Sequence, residues 1–260
     1  MPSLIVFFFG AIVGSFLNVC IFRIPRGESV VWPGSRCLAC GRPIAWHDNV
    51  PIISFFALGG HCRHCRTRIS RQYVFVEIFT ALIFVLFYRW FGPSVKGLIY
   101  LLLSLALIVE SAIDLRHEII PDVITLPGIL MGLLVSALFP ALHGETLWTA
   151  GLFKSLAGVL VGGGFLYASA VAAEFLLKKE AMGGGDVKLL GMLGAFLGWQ
   201  GCLWTIFVSS LIGSAVGIYL RLKSGRRHIP FGPHLAIAAV LYIFFGEKVI
   251  AWYWHTAGWM

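Results

Sequence analysis

The chain alternates long apolar runs with short polar connections along its 260 residues. A helix needs about 20 apolar residues to cross a lipid bilayer, and most of the runs reach that length. The runs cover residues 4–22, 73–91, 97–113, 123–139, 155–177, 189–199, 201–220 and 234–254. Run 189–199 is short, so we expect a thin or tilted crossing there, or a helix that continues toward residue 201. The pattern predicts an all-α, polytopic membrane protein with about eight transmembrane helices.

Composition agrees with a membrane protein. Hydrophobic residues make up 58% of the chain and charged residues 12%, whereas a soluble domain carries roughly 25% charged residues. A soluble fold of this composition would leave far too much apolar surface in water. One sizeable polar stretch divides the chain into a predicted first transmembrane helix at 1–22, a small cytoplasmic loop domain at 23–72 and a helical bundle at 73–260.

The basic residues predict an orientation. With eight crossings and the N-terminus outside, the cytoplasmic loops contain 16 of the 20 Lys and Arg residues. The remaining four are Arg89, Lys96, Lys154 and Lys248. Cytoplasmic loops of membrane proteins carry an excess of Lys and Arg, so the layout is self-consistent. The net charge of +8 therefore reflects topology and contact with membrane lipid, and we expect no nucleic-acid partner.

Four of the six cysteines form two C-x-x-C pairs within the polar stretch. Cys37 and Cys40 make the first pair, Cys62 and Cys65 make the second, and 21 residues separate the pairs. Each C-x-x-C turn offers two thiolates, and two such turns complete a closed tetrahedral zinc site. Free thiols or a redox pair are the alternative, but a reducing cytoplasm disfavours disulfides. The spacing predicts a structural zinc site that stabilises a loop too short for a large core.

Two aspartates lie at the boundaries of apolar runs far apart in the chain. Asp114 directly follows one run, and Asp186 follows three glycines just ahead of another. These glycines are Gly183, Gly184 and Gly185. The predicted topology places both acids on the cytoplasmic side. Acids at a membrane boundary are costly and point to function, and two carboxyl groups in different charge states are the equipment for acid–base hydrolysis.

Helix termini favour opposite charge states for these two acids. Asp186 precedes a helix, where the helix dipole and the nearby Lys188 favour the ionised form. Asp114 lies at a helix C-terminus, where the dipole disfavours a charge. If the two meet, the ionised member can activate water and the protonated member can polarise a carbonyl or protonate a leaving amine. The alternative is structural: Asp114 is an interfacial charge beside Arg116, and Asp186 caps its helix.

Several further polar residues are candidates for positioning a substrate or for structural roles. The three glycines remove side-chain bulk, so that a substrate backbone can lie against the loop that also carries Lys188. Glu110 lies one helical turn before Asp114 and can line the same cavity. Asp122 stands at the head of an apolar run, where we expect a helix cap, and we expect Asp48 to be solvated.

Together these motifs resemble the bacterial type IV prepilin peptidases over nearly the whole chain. The matching motifs are GSFLNV at residues 14–19 with Arg23-Ile24-Pro25, the four cysteines, Asp114 with HEIIPD at residues 117–122, GGGDVK at residues 183–188 and PFGP at residues 230–233. The G-x-G-D motif is shared with a class of intramembrane aspartic peptidases. This combination is far more specific than any one motif alone.

The resemblance implies two activities and a location. The enzyme would cut the short basic leader from type IV prepilins or pseudopilins after a glycine, using Asp114 and Asp186. It would then methylate the new N-terminal amine with S-adenosylmethionine, and no pattern in the chain identifies the residues that bind this donor. Shorter archaeal relatives lack both the cysteine domain and the methylation, so residues 23–71 favour the bifunctional form. The family acts in type IV pilus and type II secretion systems, which implies the bacterial inner membrane, a periplasmic N-terminus and a cytoplasmic active site.

Two other classes of function remain open from the residues alone. A small proton-coupled transporter could use Asp114 and Asp186 as a relay, since intramembrane acids suit that role. Such a transporter often contains an internal repeat, and the chain has no convincing one. An assembly scaffold with a zinc loop and no chemistry is the second alternative, and it predicts that aspartate substitutions are silent.

Overall fold

A computed structural model describes residues 2–177, 183–224 and 230–256. Within these residues the chain forms ten α-helices. They are α1 (Pro2–Arg23), α2 (Ile53–Ala57), α3 (Arg71–Phe91), α4 (Val95–His117), α5 (Asp122–Leu138), α6 (Trp148–Val159), α7 (Phe165–Leu177), α8 (Gly184–Ser224), α9 (Gly232–Leu241) and α10 (Glu247–Thr256). Short π-helical segments, Leu160–Gly164 and Tyr242–Gly246, join α6 to α7 and α9 to α10. The predicted all-α fold is confirmed.

Helix length and composition identify a multi-pass membrane protein. Six helical ranges of the described residues are long and apolar enough to cross a bilayer, and Asp122–Leu138 is a shorter apolar helix. Many large apolar side chains point outward; Phe175 and Leu222, for example, are each 84% exposed. Outward apolar surface on this scale suits contact with lipid and would be unstable in water. The predicted number of eight crossings is approximate, because one of the six ranges, Gly184–Lys223, is 40 residues long.

A glycine breaks the longest helix close to the predicted junction of two apolar runs. Gly198 has φ 70° and ψ 179° inside α8, a conformation open almost only to glycine. A β-carbon at this position would also lie 3.3 Å from Nδ1 of His143. The predicted runs 189–199 and 201–220 therefore lie on either side of a break in α8. Their boundary, at residue 200, is two residues after Gly198.

The chain divides into two compact units, residues 1–109 and 110–260. In the first unit, α1 packs closely against α3. A β-carbon on Gly10 or Gly14 would lie 2.8 Å from a Cα atom of α3, so these two glycines let the backbones approach, as the four-residue spacing predicts. The Asn18 side chain strengthens this pairing, because its Nδ2 donates to the carbonyl oxygen of Tyr73 at 3.0 Å.

In the second unit, α8 packs against α5, α6 and α9. Gly158 of α6 and Gly194 of α8 face each other so closely that a β-carbon on either would overlap the carbonyl oxygen of the other. The hydroxyls of Ser136 and Ser155 both donate to the carbonyl oxygen of Ala195, at 3.0 and 2.6 Å. Small residues and hydroxyl groups therefore hold α8 at the centre of this unit, where it presents Asp186.

Candidate active site and metal centre

The four cysteines of the two C-x-x-C pairs converge on one point. Their sulfur atoms all lie within 4.8 Å of one another. The distance from Cys37 Sγ to Cys65 Sγ is 3.8 Å, and four thiolates around zinc at 2.3 Å stand about 3.8 Å apart. The cluster therefore has the donor set and the spacing of a tetrahedral zinc site.

The two cysteine turns have the same backbone geometry. In each, the residue after the second cysteine adopts a positive φ, which is 69° at Gly41 and 58° at Arg66. The amides of these residues donate to the carbonyl oxygens of Cys37 and Cys62, at 2.8 and 3.1 Å. Glycine fits this conformation easily, as expected for Gly41, whereas Arg66 occupies the equivalent position without any signal in the sequence.

Two local hydrogen bonds favour thiolates in the cluster. A hydrogen bond with the Thr67 side chain lowers the pKa of Cys65 to about 6. The backbone amide of Cys40 lowers the pKa of Cys37 below its usual value. The thiolate is the form that binds metal, so both effects favour metal binding at these two cysteines. Desolvation and the neighbouring Cys37 and Cys65 thiols instead raise the pKa of Cys40 to about 11.

Asp48 is not the solvated side chain that we expected. Its carboxylate accepts two hydrogen bonds from Arg63, at 2.7 Å from Nε and 2.6 Å from Nη2, and its side chain is only 10% exposed. The Arg63 guanidinium holds the pKa of Asp48 below its usual value. This bidentate ion pair joins the segment before α2 to the second cysteine turn. The positions of Asp48 and Arg63 in the sequence do not predict the contact.

Asp114 is buried in α4 and held by a distant backbone amide. It is 5% exposed, and its Oδ2 accepts a hydrogen bond from the Gly232 amide at 2.9 Å. Gly232 begins α9, so the carboxylate lies at a helix N-terminus, where negative charge is stabilised. Asp114 lies in the last turn of α4, as predicted, but the N-terminus of α9 also acts on it and stabilises the charge that the C-terminus of α4 disfavours.

Asp186 lies in the first turn of α8, close enough to Asp114 for the two carboxyl groups to interact electrostatically. The structure thus brings together two acids that are 72 positions apart in the chain (186 − 114 = 72). The glycines before Asp186 differ in their surroundings. A β-carbon on Gly185 would lie 2.9 Å from Cβ of Ile120, whereas one on Gly184 would meet no atom within 4 Å. Gly185 thus serves packing within the unit, and Gly184 borders open space.

Glu110 adds a third carboxyl group to this region. It is 1% exposed, and neither of its carboxyl oxygens has a hydrogen-bond partner within the described part of the chain. It also interacts electrostatically with Asp114, as its position one turn earlier in α4 predicts. An acid buried among helices in this way is costly to retain.

Lys188 and Asp122 form an ion pair, which the sequence did not predict. The Lys188 ammonium donates to both carboxyl oxygens of Asp122 at 2.7 Å. Asp122 makes no side-chain cap for α5, whose N-cap residue is Pro121. The pair links the start of α5 to the start of α8, close to Asp186.

Sequence reasoning missed Gly232 as a functional residue. In the sequence, the PFGP motif at residues 230–233 contributes only to the family resemblance. In the structure it begins a helix, and a helix start is a source of amide donors. A β-carbon on Gly232 would lie 2.7 Å from Oδ2 of Asp114. The position therefore requires glycine because the carboxylate occupies the space of a side chain.

Family models match most of the chain. The model of the bacterial peptidase A24 N-terminal domain matches residues 8–91, and that of the type IV leader peptidase family matches residues 101–218. The second model contains both aspartates, and the first contains the four cysteines.

Three bacterial proteins named prepilin leader peptidase/N-methyltransferase are similar to the chain throughout. The protein from Pseudomonas aeruginosa is 37% identical, over 96% of this chain and 92% of its own length. The protein from Pseudomonas putida is 35% identical, over 93% of this chain and 90% of its own length. The protein from Aeromonas salmonicida is 36% identical, over 97% of this chain and 94% of its own length. No solved structure matches the chain. Since these relatives cover nearly all of it, the chain belongs to the type IV leader peptidase family.

Proposed function

We propose that this protein cleaves the short basic leader from type IV prepilins or pseudopilins and then methylates the new N-terminal amine. The observation that carries the proposal is the acid pair: Asp114, buried and held by the Gly232 amide, interacts with Asp186 in the first turn of α8. The relatives at 35–37% identity named above carry both activities in their name. None of these observations favours the alternative of a proton-coupled transporter.

In the proposed hydrolysis, one aspartate acts as the general base and the other as the general acid. The Gly232 amide and the N-terminus of α9 stabilise a charged Asp114, which takes a proton from the attacking water. Asp186 holds a proton, polarises the scissile carbonyl and then protonates the leaving amine. These roles are the reverse of the charge states that the two helix termini alone predicted, because the Gly232 amide stabilises the charge on Asp114. Glu110 and Lys188 position the substrate indirectly, Glu110 through its charge on Asp114 and Lys188 through the first turn of α8. The open face at Gly184 gives the substrate backbone room to approach.

The distribution of basic residues supports an inner-membrane location with a periplasmic N-terminus. The loops assigned to the cytoplasm carry 16 of the 20 Lys and Arg residues, although residues 178–182 and 225–229 of these loops lie outside the described part of the structure. A pilin precursor carries a basic head on an apolar helix. Its head therefore meets the acid pair from the cytoplasmic side, in a type IV pilus or type II secretion system.

Zinc binding by the four cysteines has a direct test. Purified protein should contain about one zinc ion per chain, measured by elemental analysis. Cys62→Ser should lose the metal because three thiolates no longer close the site, and the loop should become sensitive to protease. Cys20→Ala is the matched control, since Cys20 is buried in α1. Intact protein without metal after purification in chelator-free buffer would count against zinc.

The two activities are tested together on one substrate. We expect purified protein, given a prepilin and S-adenosylmethionine, to release the leader and to leave a mature chain heavier by one methyl group. Mass spectrometry of the product measures both changes. An intact prepilin after incubation with active, folded protein would overturn the proposed function. Release of the leader without the added methyl would remove only the second activity.

A further inference from the structure

The first unit contains a cleft that the peptidase chemistry does not use. Its volume is ≈ 640 Å³, within the range of about 300–1,000 Å³ that is usual for ligand sites. Ser15 and Asn18 of α1, the cysteine turns, and Tyr73 and Glu77 of α3 contribute to its lining. All of its lining residues lie in the first unit, and Asp114 and Asp186 belong to the second. A cavity of this size accommodates a nucleoside-sized ligand.

A buried carboxylate lines this cleft. Glu77 is 7% exposed, and its Oε2 accepts a hydrogen bond from the Ile52 amide at 2.7 Å. The side chain of Ser15 also hydrogen-bonds the carboxylate. A carboxylate in an apolar helix is costly, and two donors hold this one in a fixed orientation. Glu77 therefore has the burial and the fixed orientation expected of a carboxylate in a binding or catalytic site.

The backbone that supplies the Ile52 amide is strained. Ile52 has φ 64° and ψ −55°, and the Ile53 amide donates to the carbonyl oxygen of Pro51 at 2.6 Å. These values describe a γ-turn with a positive φ at its centre, which is rare and strained, and a β-branched residue is an outlier there. Strain of this kind persists where the surrounding structure holds a residue for function. Here it directs the Ile52 amide at Glu77.

The charges along the cleft are separated. Glu77 is a buried carboxyl group, whereas the lining also contains several arginines, of which Arg36 and Arg68 are exposed. Neither arginine forms an ion pair within the described residues. Arginine binds carboxylates through paired hydrogen bonds, and a buried carboxylate attracts a cationic or amine centre. The lining is therefore suited to a zwitterion that carries an amino-acid carboxylate at one end and a positive centre at the other.

We propose that this cleft is the methyl-transfer site and that Glu77 is its catalytic carboxylate, an inference that rests on the proposed function. S-adenosylmethionine supplies the methyl group as part of a sulfonium. Glu77 accepts a proton from the new N-terminal ammonium of the mature pilin, which frees the nitrogen lone pair. The nitrogen then bonds to the methyl carbon as the carbon–sulfur bond breaks, and the electron pair of that bond stays on sulfur as a neutral thioether.

The experiment separates the two activities in one assay. Full-length Glu77→Gln should release the leader at a rate within about twofold of the wild type, while the methylation rate falls by about 10²-fold or more. The amide oxygen of Gln can still accept from the Ile52 amide, which keeps the turn in place. Glu145→Gln is the matched control, because Glu145 is a partly exposed carboxylate of the second unit, outside this lining, and it should methylate normally. Normal methylation by folded Glu77→Gln would overturn the inference and leave the peptidase proposal intact.

A second measurement uses the wild-type protein and needs no turnover. Ultraviolet irradiation with labelled S-adenosylmethionine, followed by peptide mapping, should place the cross-link between residues 15 and 77. Excess S-adenosylhomocysteine should suppress it. A cross-link that maps to residues 110–256 would refute the site even if Glu77→Gln failed to fold.

Discussion

Asp186→Asn should reduce leader cleavage by about 10²- to 10⁴-fold, the range that a general acid or base contributes. The amide keeps the size of the carboxyl group but neither holds nor accepts the transferred proton. Asp114→Asn should have an effect of the same order, because an amide cannot take the proton of the attacking water, although its oxygen can still accept the hydrogen bond from the Gly232 amide. Cleavage of a prepilin by detergent-purified enzyme, followed by gel or mass spectrometry, measures both losses.

The control for these variants removes a carboxylate far from the proposed chemistry. Glu145 pairs with Lys154 at 2.7 Å, and both side chains are partly exposed. Such pairs contribute little to stability, so Glu145→Gln should cleave at the wild-type rate. Both aspartate variants should retain the thermal unfolding midpoint of the wild type to within a few degrees. Substantial cleavage by folded Asp186→Asn would end the assignment of the acid pair.

Gly232→Ala should reduce leader cleavage by about 10²-fold, although it adds only a methyl group. The new β-carbon would lie 2.7 Å from Oδ2 and 3.3 Å from Cγ of Asp114, so either the carboxylate or the start of α9 must move. A displacement of about 1 Å at a catalytic group lowers rates to this extent. The loss should appear in the cleavage rate under single-turnover conditions, which isolates the chemical step from product release.

Gly213→Ala is the matched control for this substitution. Its β-carbon would have its nearest neighbour at 3.5 Å, an ordinary contact with the Phe231 ring, so activity should be unchanged. Gly232→Ser should be at least as impaired as Gly232→Ala because its side chain is larger. Full activity of Gly232→Ala would show that the amide of residue 232 does not orient Asp114.

Local patterns predicted the helices and the convergence of the four cysteines. Apolar runs of sufficient length located the long helices because burial in lipid demands them. The C-x-x-C spacing identified the cysteine cluster because a chelate turn is local geometry. The boundary between runs 189–199 and 201–220 lies two residues from the break at Gly198, although the sequence also left a continuous helix open.

Contacts between distant parts of the chain were not predictable in the same way. Packing pairs Asp114 with Gly232, Asp48 with Arg63, and Lys188 with Asp122. Asp122 was expected to cap its own helix because capping is a local rule, but an ammonium group from α8 engages it. Arg66 and Ile52 adopt positive φ values that their residue types disfavour, so only the folded structure reveals them.

The hydrogen bond from Gly232 to Asp114 has a consequence for the synthesis and membrane insertion of the enzyme. Ribosomes make the chain from its N-terminus, so the helix that contains Asp114 enters the bilayer long before residue 232 is made. A nascent chain therefore contains both acids while one still lacks its donor. Peptidase activity should begin only once α9 has inserted, which protects the membrane from a premature protease during translation.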